Sequence, residues 1–281
     1  MDISSYEPDN IKWQAHRGGG GFERPDNTLV SLNYGWEMGG IPEVDIRLTS
    51  DGVLVCQHDN TLRRTTDAPD DIADLEIAEL SFEQIRKFDA GAKFSEKYRG
   101  EKVPAFYEVL EILQNDPEKM IYADLKNYDP ELFPALKDEF TLLVNMYEIA
   151  GQIILCSSDY ELNCQMAKAV PGIKVMQWIG GSPETQKNIF NELVSKNFDK
   201  LHQIQFHLND SEENDTWPYT LDLEYLKNAL EICKENAISM QVFPWQFENK
   251  EIFQLLDIGI RWFTTDEPEK FIKAIIKWQE K

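Results

Sequence analysis

Two apolar patterns alternate along the chain. Eight short runs rich in β-branched and aromatic residues, "KWQAHR", "PEVDIRLTS", "KMIYADLK", "QIILCSS", "IKVMQWIG", "HQIQFHL", "SMQVFPW" and "RWFTTD", have the length and composition of buried strands. The segments between them set apolar side chains at helical spacing: "NTLVSLNYGWEMG", "FYEVLEILQND", "PELFPALKDEFTLLVNMYEIA", "DYELNCQMAKAV", "PETQKNIFNELVSKN", "LEYLKNALEICKENA" and "NKEIFQLLDIG". A last amphipathic stretch, "EKFIKAIIKWQEK", follows the eighth strand. Repeated strand–helix units need parallel strands with helices packed against them. Eight such units predict an α/β fold, a single (β/α)8 TIM barrel, rather than a doubly wound open sheet.

The alternation breaks once, between residues 51 and 104. Asp51-Gly52 is a hairpin signal, so "DGVLVCQHD" reads as an arm turning back along the second strand. The remainder holds one short helical stretch, "SFEQIRKF", among turn residues. An excursion of this length between a barrel strand and its helix usually carries function. No linker, low-complexity tract or fixed-period repeat follows, so the expectation is one domain over residues 1–281 with an insertion at about 51–104.

A chain of 281 residues suits one barrel. Its 28 basic and 50 acidic residues give a formal charge of -22, which repels polyanions and argues against nucleic acid as a partner. A small anionic substrate remains compatible, because exposed charges beyond about 8 Å are screened at physiological salt and local cations decide. The four cysteines, Cys56, Cys156, Cys164 and Cys233, show no paired spacing and read as ordinary buried thiols, not a zinc site or a disulfide framework. No apolar run reaches the roughly 18 residues of a membrane span, and "MDISSYEPDNIKW" has neither the basic nor the apolar part of a leader. The expectation is a cytoplasmic protein without stable membrane insertion, in which the sequons at Asn209 and Asn214 are chance matches. The pattern carries no signal of oligomeric state.

Active-site residues of such a barrel stand at the C-terminal ends of its strands. Here strand one ends in His16 and Arg17, strand two carries Glu43 and Asp45, the hairpin arm ends in His58 and Asp59, and strand three carries Asp124 and Lys126. Glu43 and Asp45 are two apart and therefore share a face. Two carboxylates inside a barrel mouth need a cation, since each would otherwise be desolvated at high cost or take up a proton. Oxygen ligands without cysteine favour a hard ion, Mg2+ or Ca2+, with Asp124 as a third carboxylate. The alternative is a structural network in which Arg17 and Lys126 pair with the two acids.

His16 and His58 suit paired general acid and base catalysis near neutral pH. Arg17, Lys126 and the backbone N–H groups of "GGGG" suit an anionic oxygen, with phosphate the natural candidate. The glycines make neither a P-loop, which needs a GK[ST] ending, nor a dinucleotide fingerprint, because Glu23 occupies the last glycine position of a GxGxxG begun at Gly18. A serine nucleophile has no support: G-x-S-x-G is absent, and Ser157 and Ser158 have no evident histidine partner. For His207 a place in the pocket, in the core or at the surface is open.

With these residues in hand, the chain resembles the glycerophosphodiester phosphodiesterase family. The family's HRG…PENT opening corresponds to "HRGGGGFERPDNT", its E-x-D strand to "EVDIRLTSDGVLVCQHDNTLRRTT" and its strand-three E-x-K to "ADLKN". Its P-x-x-x-E-V-L helix entry corresponds to "VPAFYEVL", and its closing T-D-x-P to "TTDEP", Thr264 to Pro268. The resemblance implies hydrolysis of a small-molecule phosphodiester, a glycerophosphodiester, to an alcohol and glycerol 3-phosphate with one divalent cation. It puts His16 and His58 in the acid/base places, Glu43 and Asp45 in the metal places with Asp124 beside them, and Arg17 and Lys126 at the phosphate. The segment between Asp59 and Val103 matches the insertion that covers the site and influences which headgroup enters.

Three departures stand out. Asp124 replaces the family's glutamate, and its shorter reach puts direct metal ligation in question. Asp26 replaces the glutamate of PENT, and "PWQF" replaces W-T-V-N near strand seven, so the pocket wall there differs. Rival readings are the same chemistry on a lysophospholipid or sugar phosphodiester, or a barrel that binds a phosphodiester without turning it over. Phe94, Phe106, Trp178, Trp217 and Trp245 are the aromatics available to a pocket wall, with Trp245 the candidate for substrate contact, although core packing claims at least as many of the five.

Overall fold

The structure, a computed structural model, describes residues 11–126, 131–211 and 217–281; the expected leader-free start (residues 1–10) and the sequon at Asn214 lie outside the described residues. Each of the eight apolar runs forms a strand, and the hairpin arm adds one more: β1 (Lys12–Ala15), β2 (Ile41–Leu48), β3 (Leu54–Cys56), β4 (Ile121–Leu125), β5 (Ile153–Ser157), β6 (Lys174–Ile179), β7 (Gln203–Leu208), β8 (Ser239–Pro244) and β9 (Trp262–Thr265). Eight of them pair in parallel in the order β1-β9-β8-β7-β6-β5-β4-β2, and Gln14 of β1 against Ile41 of β2 closes the ring. β3 runs antiparallel along the C-terminal half of β2, with Arg47 opposite Val55. The (β/α)8 barrel read from the periodicity is the observed fold.

The helices are α1 (Leu29–Glu37), α2 (Asp70–Ala73), α3 (Phe82–Ile85), α4 (Phe106–Asn115), α5 (Phe133–Tyr147), α6 (Tyr160–Ala169), α7 (Pro183–Ser195), α8 (Leu223–Glu235), α9 (Asn249–Asp257) and α10 (Pro268–Gln279). Several begin on side chains that satisfy the free N–H groups of the first turn: Thr28 for α1, Asp159 for α6, Ser182 for α7 and Asp222 for α8. Their apolar faces bury against the outside of the ring, where Leu32, Val44, Phe106, Leu155, Phe190 and Phe271 belong to one continuous core. No helix among the described residues is long and apolar enough to cross a membrane.

Inside the ring the filling is of two kinds. Tyr122, Ile154, Cys156 and Met176 make a small apolar cluster. Beside it is a layer of buried polar groups, in which the Gln205 amide donates to Gln14 Oε1, Gln241 Oε1 and Thr264 Oγ1 at 3.2, 2.8 and 2.7 Å. Each unpaired group of this kind would cost about 1–3 kcal/mol, so the layer persists because its members satisfy one another. These residues lie two positions before Phe243, His207, His16 and Asp266 on their strands and give the mouth a closed floor.

The excursion after β2 carries its own apolar cluster, Val55, Leu62, Ile77, Leu80, Ile85, Ala90 and Val103. It is tied to the barrel through β3 and an antiparallel bridge from Val55 to Ala105. The one short helix read from the sequence there is α3, capped by the Ser81 side chain, but the excursion also holds α2 and two single 3-10 turns that the sequence reading did not expect.

Candidate active site

His16 and Arg17 leave β1 in a single tight turn in which Arg17 is left-handed, φ 51. The glycines after it answer a packing need. A Cβ on Gly18 would lie 2.5 Å from the Ser31 carbonyl carbon, and one on Gly20 would lie 2.6 Å from Asp266 Cα. Positive φ at both, 77 and 62, adds to the requirement. The loop's N–H groups are mostly spent internally: Arg17 donates to Glu43 Oε2 at 2.8 Å, Gly19 and Gly20 to the His16 carbonyl, and Phe22 and Glu23 to the Gly19 carbonyl. Of the four glycine N–H groups, those of Gly19 and Gly20 are engaged within the loop, and the Arg17 guanidinium places positive charge beside it.

Both histidines are held by a carboxylate. His16 Nδ1 lies 2.6 Å from Asp266 Oδ1, and His58 Nδ1 lies 2.8 Å from Asp59 Oδ1. An ionised carboxylate only accepts, so the proton of each neutral ring sits on Nδ1 and leaves Nε2 to exchange one. The hydrogen bond to His58, joined by those from Arg64, holds Asp59 below the usual carboxylate range against its partial burial. Arg64 reaches further: Nε donates to Asp59 Oδ2 at 2.7 Å and Nη2 to Asp26 Oδ2 at 2.9 Å. Asp26 Oδ2 in turn lies 3.4 Å from Arg17 Nη1. Alternating charges thus join the glycine loop to the imidazole carried by the insertion.

The acids stand on neighbouring strands. Parallel register sets Asp45 beside Asp124 and Asp124 beside Cys156. Glu43, Asp45 and Asp124 are 2%, 0% and 7% exposed. Asn27 clamps Asp45 from both sides, donating Nδ2–H to Oδ2 at 2.8 Å and accepting the Asp45 backbone N–H at 2.9 Å. Lys126 Nζ donates to Asp124 Oδ2 at 2.6 Å and lies 3.2 Å from Asp45 Oδ1, while Arg17 Nε lies 3.5 Å from Asp45 Oδ2.

Burial opposes the charge of all three acids, and their neighbours separate them. Lys126 and then Arg17 outweigh burial at Asp45 and hold it below the carboxylate range. Glu43 is pushed well up by burial and by Asp45, and Asp124 is pushed up by burial with Lys126 pulling the other way. Ionising all three acids beside two fixed cations would leave an excess of negative charge, and Asp45 Oδ1 accepts no hydrogen bond, with only the Lys126 ammonium 3.2 Å away. This donor set fits a divalent cation. Oxygens of Glu43 and Asp124 lie within 4.8 Å of each other and of a third atom, the sulfur of Cys156. Cys156 is a buried thiol, as expected from the sequence, and it stands beside the acids.

These groups line a cavity of about 210 Å³, with His16, Arg17, Glu43, His58, Asp124 and Lys126 on its wall. A larger cavity of about 730 Å³ shares His16, Arg17 and Trp245 with it and continues outward past Phe22 and Asp266. The smaller cavity holds the candidate catalytic groups, and the larger one opens beside it. Of the five candidate aromatics, Trp178 and Trp245 line the inner cavity, with Trp245 42% exposed. Phe106 stacks on Phe140 in the core, Trp217 is buried with its indole N–H on the Leu221 carbonyl, and Phe94 packs near Tyr98 in the insertion. His207 does reach the cavity, its ring stacked on Trp178 at 5.1 Å and its Nε2 2.9 Å from Gln205 Oε1.

The motif search named the acids, the histidines and the two cations but gave no role to Asp266, Asn27, Arg64 or Cys156. Asp266 had a usable signal, since it ends the last strand as His16 ends the first. The other three act through contacts that spacing does not encode.

Residues 16–270 match the model of the glycerophosphoryl diester phosphodiesterase family. The chain belongs to this family. A family relative from Caldanaerobacter subterraneus subsp. tengcongensis, a glycerophosphodiester phosphodiesterase, is 28% identical over 268 residues, covering 94% of this chain and 97% of the relative. One from Bacillus subtilis is 28% identical, covering 95% and 87%. Among solved structures, an Oleispira antarctica phosphodiesterase in complex with the product sn-glycerol-3-phosphate superposes with a TM-score of 0.74 at 20% identity, covering 98% of this chain and all (100%) of that one. A structure from Silicibacter pomeroyi gives 0.75 at 18%, covering 97% and 95%. At such identities the structures establish the shared barrel.

Proposed function

We propose that the chain hydrolyses glycerophosphodiesters to an alcohol and glycerol 3-phosphate, as one catalytic unit in which the segment at 51–104 carries His58 to the barrel mouth. The observation that carries this reading is the pair of imidazoles, each anchored through Nδ1 by a carboxylate, at a cavity also lined by the buried acids Glu43 and Asp124 and by Arg17 and Lys126. Glu43 and Asp124, with Asp45 behind them, would hold one divalent cation, Mg2+ or Ca2+. Such an ion, when bound, supplies positive charge to a phosphate oxygen.

Arg17 and Lys126 orient the diester and offset the charge that grows on its oxygens. One of His16 and His58, neutral at the start, takes a proton at Nε2 from the attacking hydroxyl or water, and the other, starting as the imidazolium, gives its Nε2 proton to the departing alkoxide. Water's two hydrogens end on the released alcohol and on the phosphate or the regenerated histidine pair, so no redox partner is needed. Asp266 and Asp59 hold a proton on Nδ1 of both rings, so that Nε2 is the atom that exchanges one. The outer cavity and the exposed faces of Phe22 (69%) and Trp245 (42%) favour a second possibility for the leaving group, a bulkier lipid or sugar alcohol.

The test is glycerol phosphate release from glycerophosphocholine and glycerophosphoethanolamine by EDTA-stripped protein, with Mg2+, Ca2+ or Mn2+ restored one at a time. Ion-dependent product is expected. Silence with every ion on these and on a wider panel of lysophospholipid and sugar diesters would overturn the assignment.

A further inference from the structure

The acids of the site do not stand alone. Cys156 is 2% exposed, yet its side chain faces into the ring with Tyr122, Ile154 and Met176 and lines the same cavity as Glu43 and Asp124. Its strand position explains this, because β4 and β5 pair with Asp124 directly opposite Cys156. The sulfur and one oxygen from each acid lie within 4.8 Å of one another. Donors sharing a tetrahedral zinc-type ion, with bonds of about 2.0–2.3 Å, sit roughly 3.6 Å apart. Side-chain rotation of about 1 Å would close the set around such an ion.

The three donors also differ in kind. Carboxylates suit hard ions, whereas a thiolate selects ions of the zinc, cobalt and cadmium type. Burial does not exclude this role, since the cavity reaches the sulfur from the mouth. None of the other three cysteines is part of such a cluster among the described residues.

We propose that Cys156 is a metal ligand, so that the Glu43–Asp124 site also takes a thiophilic divalent ion, bound through sulfur, in competition with the hard ion of the hydrolytic reaction. On binding, the thiol S–H bond breaks, the proton leaves to solvent, and a sulfur–metal bond forms with no change of oxidation state. A hard ion at the same acids leaves the thiol protonated. The inference rests on the reading that Glu43 and Asp124 hold a cation, but not on which diester is hydrolysed.

Cadmium is the probe, because a thiolate–cadmium bond has its own ultraviolet charge-transfer absorption. Metal-free protein titrated with Cd2+ should develop that band to one equivalent, with release of a proton, and excess Zn2+ should discharge it. In Cys156→Ser the band should vanish and Cd2+ affinity, measured by calorimetry, should fall by more than the roughly 10- to 100-fold that loss of an outer-shell partner costs. Asp124→Asn keeps the sulfur and should weaken the same band, which guards against a Cys156→Ser protein that fails to fold. No band in the unaltered protein overturns the proposal, whether or not heat of Cd2+ binding is seen. A band that persists in folded Cys156→Ser overturns it as well, since another cysteine then supplies the sulfur. Loss of hydrolysis on glycerophosphodiesters, by contrast, bears on the proposed reaction and leaves this absorption untouched.

Discussion

Replacing Asp266 by asparagine keeps the size of the group that holds His16 and removes its charge. In the native site Asp266 Oδ1 stands 2.6 Å from His16 Nδ1, and its side chain is 12% exposed, so water offers little substitute. A hydrogen bond to a charged partner is worth about 1.5–3 kcal/mol, and 1.36 kcal/mol is tenfold in rate, so kcat should fall roughly 10- to 150-fold. The asparagine amide can also present an N–H to Nδ1, which would put the ring proton on Nε2 and deepen the loss. The assay is the initial rate of glycerol phosphate release at saturating substrate and ion, beside a thermal melt that shows whether the fold is intact. A folded Asp266→Asn protein with kcat within about twofold of the parent would refute the view that a carboxylate sets the His16 tautomer.

Arg64→Ala removes the guanidinium shared by Asp59 and Asp26 and should lower kcat about tenfold, with partial recovery in Arg64→Lys; a double variant with Asp59→Asn should lose less than the sum of the two in free energy, and strict additivity would show that Arg64 does not act through His58. Gly20→Ala forces a Cβ to within 2.6 Å of Asp266 in a left-handed conformation, so denaturant unfolding should show a loss of about 1–3 kcal/mol together with a fall in kcat; an unchanged protein would mean the loop yields without cost. His207 is pushed down to about 4 by burial, with His16 and Lys126 adding to the shift, so the unfolded chain takes up its proton first. Its stabilising contribution is then full above about pH 6.5 and lost as pH falls towards 4, by up to about 3 kcal/mol. Urea unfolding of the parent and His207→Gln across that window should give a shallower pH slope in the variant, and parallel slopes would contradict the burial of a neutral ring.

The barrel was legible because its information is local. Strand runs such as "QIILCSS" and "HQIQFHL" and helical runs such as "LEYLKNALEICKENA" each state their period within one element, and repetition of the two dictates parallel pairing. The strand ends then located His16, Glu43, Asp45, Asp124 and Lys126 without any knowledge of contacts. What periodicity does not reveal is whether an aromatic side chain serves the core or the pocket. Phe106 and Trp217, offered as pocket aromatics, are core, whereas Trp178 and Trp245 are not, and composition alone does not separate them.

The same limit explains the partners that were missed. His16 and Asp266 are 250 positions apart in sequence and meet only because the ring closes β1 on β9. Arg64 lies in a segment without periodicity, so its two carboxylates follow from the path of that segment and not from spacing. Cys156 is the sharper case. In an all-buried strand, "IILCS", a cysteine is indistinguishable from a small apolar residue until register is known, and only the pairing of Asp124 with Cys156 makes it a neighbour of charge. Register therefore decides more than packing here. Under the proposal above, a sulfur beside Glu43 and Asp124 would extend the ions this barrel mouth can hold to those that thiolates select.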